Sequence, residues 1–262
     1  MSPTRTLLGV DVVGSARIPG YHAEEIPAAI AELLDTALTT AEISRDEVLS
    51  WDSTGDGALL TLPGSLLGSV LDAAAKLESA AIRRNQRRKP EILLRVAVES
   101  GPVHGGAYYE RSKVTLTRML DADAFKQLFG RCRAERGIAT ALIVSDHAKK
   151  VAFSGDHVRE LQEDEFVPLH VGNKEHDETA WVRVPGCDPG LVQRFLPGPD
   201  GSAPDDRPTH PGDARDDGRA GGAAAESPQP DGSPQPSVQN VINGSSRKSF
   251  QGGVINGDIT FH

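Results

Sequence analysis

The chain has 262 residues, of which 38% are hydrophobic and 25% are charged, and its formal net charge is −9. No apolar run reaches the ~18 residues that a membrane-spanning helix needs, and two cysteines are too few for a disulfide framework or a structural zinc site. The acidic balance argues against nucleic acid as the main partner. We therefore expect a cytoplasmic protein with free thiols that binds neither nucleic acid nor a membrane.

The N-terminal part of the chain alternates between strand-like and helix-like hydrophobic patterns. In chain order, the predicted elements are a strand at 6–13, a helix at 24–38, a hairpin at 48–52 and 58–62, a helix at 66–84, a strand at 92–99, a helix at 112–129, a short strand at 141–144 and a strand pair at 166–171 and 179–184. This order predicts an α+β fold of ferredoxin-like type, in which helices back a mostly antiparallel sheet.

A basic cluster lies at 83–89, at the end of the predicted helix 66–84. Lysine and arginine at this position complement the helix dipole, and Pro90 follows as a stop signal. We interpret the cluster as a solvated helix end.

Two acidic residues interrupt apolar or glycine-rich segments. Asp11 lies inside the first predicted strand, and Asp56 lies between two glycines at the tip of the hairpin. Burying a carboxylate costs free energy unless it meets a cation or several donors. In a ferredoxin-like sheet the first strand lies beside the hairpin, so the two acids converge.

With a backbone carbonyl and triphosphate oxygens, Asp11 and Asp56 would make an octahedral site for Mg²⁺ or Mn²⁺. Alternatively, Asp56 is only an Asp-Gly turn residue.

Three ordered motifs resemble the class III nucleotidyl cyclase catalytic domain. They are Leu-Gly-Val-Asp-Val-Val-Gly at 8–14, Thr-Gly-Asp-Gly at 54–57 and Leu-Arg-Val-Ala-Val-Glu-Ser-Gly-Pro-Val at 94–103. The segment 173–182 is similar to the last strand pair of that family, and the chain also resembles a divergent actinobacterial branch. The resemblance covers roughly residues 6–185, and it implies that 1–196 is a cyclase-like catalytic domain.

The resemblance implies roles for individual residues. Asp11 and Asp56 match the metal-binding aspartates, and the carbonyl of Val12 is an expected further ligand. Arg118 matches the arginine that stabilises the transition state, and Lys174 matches the lysine that pairs with the triphosphate. The implied reaction is attack of the ribose 3′-hydroxyl of a nucleoside triphosphate on its own α-phosphate, with release of pyrophosphate and with two metal ions. In this family the acids and the arginine at one substrate come from different subunits, which implies a homodimer.

The chain departs from the family pattern at three positions. Val114 replaces the family asparagine, Asp52 lies where a purine-selecting lysine is expected, and Ala107 lies near the place of its aspartate partner. These departures leave the nucleobase open.

The loop predicted at 105–111 carries other side chains that could contact a base. Tyr108, Tyr109 or Arg111 either face a base, including a pyrimidine, or are ordinary loop residues. The domain is then either an active cyclase or a nucleotide-binding homologue without turnover, acting as a sensor or adaptor.

The C-terminal part of the chain differs in composition. Residues 197–237 contain no large apolar side chain and carry eight acidic and three basic residues, so we expect a disordered linker. Residues 238–262 contain the tetrad Val-Ile-Asn-Gly twice, at 241–244 and 254–257. Asparagine and β-branched residues suit cross-β stacking, and this segment resembles bacterial RHIM-like amyloid signalling motifs. The resemblance implies an effector protein with a matching motif; alternatively, the segment adds strands to its own domain or frays.

Overall fold

In the computed structural model, residues 3–102, 107–155, 157–173 and 176–196 are described, and for 17, 21, 23, 107–110, 173, 176 and 177 only the backbone is considered. The strands are β1 (Thr4–Val12), β2 (Ser50–Ser53), β3 (Gly57–Pro63), β4 (Leu94–Pro102), β5 (Thr140–Ser145), β6 (Val167–Asn173) and β7 (His176–Arg183). The helices are α1 (Gly20–Ala23), α2 (Ile26–Thr40), α3 (Leu67–Arg87), α4 (Ala107–Asp121), α5 (Asp123–Arg136), α6 (Asp146–Phe153) and α7 (Pro189–Phe195).

The described strands form one sheet of order β2-β3-β1-β4-β5-β7-β6. Every neighbouring pair is antiparallel except β4 and β5. The first four strands and their helices follow the β-α-β-β-α-β order of a ferredoxin-like fold, and the last three strands extend the sheet at β4. The predicted α+β fold with a mostly antiparallel sheet is confirmed.

The sheet separates two hydrophobic cores because both of its faces are covered by helices. On one face Leu8 and Val10 of β1 pack with residues of α2 and α3. On the other face Leu7 packs with Leu116 of α4 and Phe125 of α5. Alternate residues of β1 therefore face different cores, as the period of two in a strand requires. Asp11 lies on the α4 side of the sheet.

The structure differs from the predicted elements after α3. The single helix expected at 112–129 is two helices, because the backbone is extended at Ala122 (φ −55°, ψ 123°). The helices α6 and α7 are absent from the sequence prediction, although each begins at a side-chain cap. Ser145 accepts the N–H of Ala148, and Asp188 accepts the N–H of Leu191.

A buried aspartate joins α3 to a distant loop. Asp72 is 6% exposed, and its Oδ1 accepts the backbone N–H groups of Arg159 and Glu160 at 3.0 and 2.9 Å. Two backbone donors stabilise a carboxylate that burial alone would disfavour. Asp72 therefore has a structural role.

Cys132 and Cys187 are free thiols, as expected. Burial, reinforced by the nearby Cys187, raises the pKa of Cys132 to about 12. None of the helices in the described part of the chain is long and apolar enough to cross a membrane. The expected linker at 197–237 and the motif at 238–262 lie outside the described residues.

Candidate active site

The strand pairing brings the two predicted acids together. Asp11 lies opposite Gly57 in the β1–β3 register, so Asp56 is the next residue beyond the pair. The N–H of Val12 donates to the backbone carbonyl of Asp56 at 2.9 Å. The two carboxylates are close enough to influence each other, since the charge of Asp56 raises the pKa of Asp11.

Glycines allow the hairpin tip to approach β1 this closely. Gly55 has a φ of +90°, a backbone angle that residues other than glycine rarely adopt. A Cβ atom on Gly57 would lie 2.4 Å from the carbonyl oxygen of Val10 and 2.8 Å from Thr54 Oγ1. The Gly-Asp-Gly sequence is therefore what places Asp56 against β1.

Each carboxylate has a protein partner. Arg95, directly opposite Asp11 in the β1–β4 register, donates to Asp11 Oδ2 from Nε at 3.0 Å and also from its terminal nitrogen. Ser15 Oγ donates to Asp56 Oδ2 at 2.6 Å.

Burial has the largest effect on the pKa of Asp11 and raises it, against the opposing effect of Arg95. Sequence reasoning missed both partners, although Arg95 is a charged residue within the apolar first half of β4.

The donor set fits a divalent cation in part. Carboxylate and carbonyl oxygens are the ligands that Mg²⁺ and Mn²⁺ prefer, and two half-buried carboxylates side by side favour a cation between them. No group of three or more His, Cys, Asp or Glu side chains that could hold a metal occurs among the described residues. A cation held by Asp11 and Asp56 would thus take its other ligands from backbone, substrate and water, and Arg95 would have to share Asp11 with it.

Arg118 lines a separate cavity of about 300 Å³ between α4, the start of α5 and the β6–β7 hairpin. Thr115 lies beside it on α4, and His170 and Glu178 form the opposite wall. Asp121, also in the lining, acts as a like charge on Asp11. The C-terminal end of α4 is therefore near the Asp11 carboxylate, whereas Arg118 belongs to the cavity wall. The described lining contains more carboxylates than cations, so a polyphosphate would need metal ions or further cations there.

Of the remaining site residues predicted from the sequence, Tyr108 and Arg111 belong to α4. Lys174 lies outside the described residues, between β6 and β7. Tyr108 and Arg111, expected in a loop, belong to the first turns of α4; Arg111 is exposed, and the side chain of Tyr108 is not described. The backbone from Ala107 onwards is therefore helical rather than a loop, and whether these side chains contact a base stays a prediction. Val114, one turn before Arg118, is 41% exposed.

An ion pair connects the hairpin to α4. Lys113 Nζ lies 3.3 Å from Asp52 Oδ2, so the residue at the expected lysine position is an acid that pairs with a lysine of the same chain. Both side chains are partly exposed, and the contribution of such a pair to stability is small.

Sequence reasoning also missed a buried acid beneath α4. Glu99 of β4 is 8% exposed, and burial raises its pKa to about 7. Nothing in the one-dimensional pattern distinguishes it from an ordinary strand-end glutamate.

Comparison with protein-family models finds no match, and comparison with curated proteins finds none either. Several solved cyclase domains resemble the chain. The guanylyl cyclase domain of the RhoGC fusion protein from the aquatic fungus Blastocladiella emersonii is 14% identical, with a TM-score of 0.46 over 70% of this chain and 96% of that one. An adenylate/guanylate cyclase/hydrolase from Silicibacter pomeroyi is 18% identical, with a TM-score of 0.46 over 71% and 99%. A bacterial light-regulated adenylyl cyclase is 8% identical, with a TM-score of 0.46 over 75% and 100%. At these identities and TM-scores, likeness alone assigns neither a family nor an activity.

Proposed function

We propose that this protein is a nucleotide cyclase of the class III type, which converts a nucleoside triphosphate into a 3′,5′-cyclic mononucleotide and pyrophosphate. The observation that supports it most is the convergence of Asp11 and Asp56 on adjacent strands, in the order and spacing of the motifs that suggested the family. The fold and the placement of Arg118 on α4 agree with it.

In this proposal Asp11, Asp56 and the carbonyl of Val12 hold Mg²⁺ or Mn²⁺. When bound, the metal neutralises triphosphate charge and lowers the pKa of the 3′-hydroxyl. The 3′-oxygen forms a bond to the α-phosphorus, the bond to the pyrophosphate oxygen breaks, and the hydroxyl proton passes to solvent. Arg118 donates to the α-phosphate as negative charge grows there, and Lys174 pairs with the triphosphate.

The base and the subunit arrangement belong to the same proposal. Arg111 and Tyr108, at the start of α4, are the candidates for contact with the base. The enzyme acts as a cytoplasmic homodimer in which the carboxylates of one subunit meet Arg118 of the other. The segment 238–262 assembles in an amyloid-like manner with an effector that carries a matching motif.

Incubation of the full chain with each of the four nucleoside triphosphates and Mn²⁺ or Mg²⁺, with mass spectrometry of the products, tests the activity. We expect a cyclic mononucleotide from at least one of them. Asp56→Asn and Arg118→Ala should each lower the rate by about 10²–10³, whereas Asp46→Asn, an exposed acid before β2, should not. Absence of any cyclic product contradicts the proposal, and tight triphosphate binding without turnover would favour the inactive sensor.

Mixing two inactive variants tests the subunit arrangement. If carboxylates and arginine come from different subunits, a heterodimer of Asp56→Asn and Arg118→Ala contains one intact site. An equal mixture should recover about a quarter of the wild-type activity. No recovery after subunit exchange would show that both residues act within one chain.

A peptide of residues 238–262 tests the assembly proposal. We expect it to form thioflavin-positive fibres, and the double variant Ile242→Asp, Ile255→Asp should stay soluble because charge disrupts a dry cross-β interface. A wild-type peptide that stays monomeric under the same conditions would contradict the proposal.

A further inference from the structure

Glu99 lies on the face of β4 that α4 covers. It is 8% exposed, and its Oε2 atom has no hydrogen-bond partner among the described residues. Such an atom raises the free energy of the folded state, so native proteins contain few of them. The chemistry proposed above makes no use of this carboxyl group.

Three elements close around the Glu99 carboxyl. Ser145 lies beside it on β5, and the negative charge of Glu178 on β7 raises its pKa. From α4, Ser112 comes so close that a Cβ on Gly101 would lie 3.0 Å from Ser112 Oγ and 3.9 Å from Glu99 Oε1. The helix and the sheet therefore pack tightly here.

The charged groups around Glu99 offer no strong compensation. The described charged residues of the neighbouring elements include Arg5 on β1, Arg111, Lys113 and Arg118 on α4, and Glu178 on β7. Strand β5 carries no charged residue, and α6 packs in the core on the opposite face. Among charged groups the largest effect on Glu99 comes from Glu178, which repels a negative charge there.

Burial, ahead of this repulsion, raises the pKa of Glu99 from 4.5 to about 7, against the opposing effects of Ser145 and the backbone of Ser100. The carboxyl group therefore gains its charge near neutral pH while α4 is packed over it.

The same elements form the cavity of Arg118. Thr115 and Arg118 line one wall and Glu178 lines another. Ser112, Thr115 and Arg118 follow each other at three-residue intervals, so they share one side of α4. A displacement of α4 or β7 at Glu99 therefore also moves the cavity walls.

We propose that Glu99 is a positioning residue for Arg118. The neutral carboxyl lets α4 pack against β4, whereas the ionised carboxylate beneath α4 repels Glu178, loosens α4 and moves Arg118 from its place in the cavity. The effect on catalysis rests on the proposed function and favours the acidic side of neutrality; the loosening of α4 does not depend on that function.

Hydrogen exchange of the α4 amides at 111–121, measured at pH 6 and pH 8 and corrected for intrinsic rates, tests the loosening. If Glu99 regains its ordinary pKa of 4.5 whenever α4 opens, opening becomes about tenfold more frequent between these two pH values. We expect the protection of α4 to fall about tenfold in the wild-type protein and to stay constant in Glu99→Gln. Glu78→Gln, which changes a partly buried carboxyl on α3, should behave like the wild type.

An equal fall in protection in wild type and Glu99→Gln would overturn the proposal. Glu178→Gln provides a second test, and the only one if Glu99→Gln does not fold. Removing the repulsion lowers the pKa of Glu99, so the fall should be smaller, and an unaltered fall would contradict the role of Glu178.

Turnover gives an independent measurement. We expect the ratio of wild-type to Glu99→Gln kcat to decrease between pH 6 and pH 8. The predicted exchange pattern without any cyclic product would count against the proposed function alone. Turnover without Glu99-dependent exchange would count against the positioning role alone.

Discussion

Replacing Glu99 by glutamine should change how the stability of the protein depends on pH. Glutamine has nearly the same shape and no charge, so the variant resembles the protonated side chain at every pH. In the wild-type protein, Glu99 has a pKa of about 7 when folded and about 4.5 when exposed. Between these values the folded state holds more protons than the unfolded state, so the free energy of unfolding decreases as pH rises.

The expected change in the free energy of unfolding follows from the size of the pKa shift of Glu99. A difference of about 2.5 pKa units at 1.36 kcal/mol per unit corresponds to about 3 kcal/mol, of which about 2 kcal/mol is lost between pH 5 and pH 7. Relative to Glu99→Gln, the wild type should be less stable by this increasing amount as pH rises. A loss of this size is large against the ~5–15 kcal/mol that stabilises a typical domain.

Urea unfolding followed by circular dichroism at pH 5, 6, 7 and 8 measures this difference. Subtracting the variant from the wild type removes the effects of all other titrating groups. Glu24→Gln, the same substitution at an exposed position, is measured in parallel as the control. A difference for Glu99→Gln that is constant with pH would refute the argument that burial holds Glu99 neutral.

Four further substitutions test packing contacts, three of them beside the site and one between α3 and a distant loop, each by urea unfolding or by Mn²⁺ binding. Gly57→Ala places a Cβ 2.4 Å from the carbonyl of Val10, so it should destabilise the hairpin by about 1–3 kcal/mol and weaken Mn²⁺ binding; wild-type behaviour would contradict the close approach. Gly9→Ala places a Cβ 2.5 Å from Leu116 Cδ2 and should cost about 1–3 kcal/mol. Leu116→Ala should relieve that clash, so strictly additive effects in the double variant would be inconsistent with contact. Asp72→Ala leaves two backbone donors without their acceptor and should cost at least about 2 kcal/mol; a change below 0.5 kcal/mol would exclude this role.

The convergence of Asp11 and Asp56 was predictable because it depends on local signals. A short apolar run rich in valine and leucine identified β1, and the Gly-Asp-Gly turn identified the hairpin tip. A ferredoxin-like order then places these two elements side by side, and the register pairs Asp11 with Gly57. The partners of these acids were not predictable, because Arg95 becomes a neighbour of Asp11 only through the register of β1 with β4.

The helices after α3 show a different limit. The apolar pattern continues from Leu116 to Phe129, and both belong to one core, so a single helix was expected. The extended backbone at Ala122 starts a second helix without any proline or glycine to signal the break. The short helices α6 and α7 escape detection by periodicity, yet their caps, Ser145 and Asp188, were readable in the sequence.

The environment of Glu99 depends on contacts that are distant in sequence. Its neighbours come from α4, β5 and β7, and Glu178 lies 79 positions away in the chain. Only the pairing of β5 with β7 brings that residue to the same end of the sheet. Sequence periodicity assigns Glu99 to a face, but it does not identify the groups that raise its pKa.

Mn²⁺ binding to the full chain, followed by electron paramagnetic resonance, tests the central claim most directly, namely that Asp11 and Asp56 together hold a divalent cation. We expect Asp11→Asn and Asp56→Asn each to weaken the affinity at least about tenfold, while Asp46→Asn binds like the wild type. Wild-type affinity in both site variants would contradict the claim.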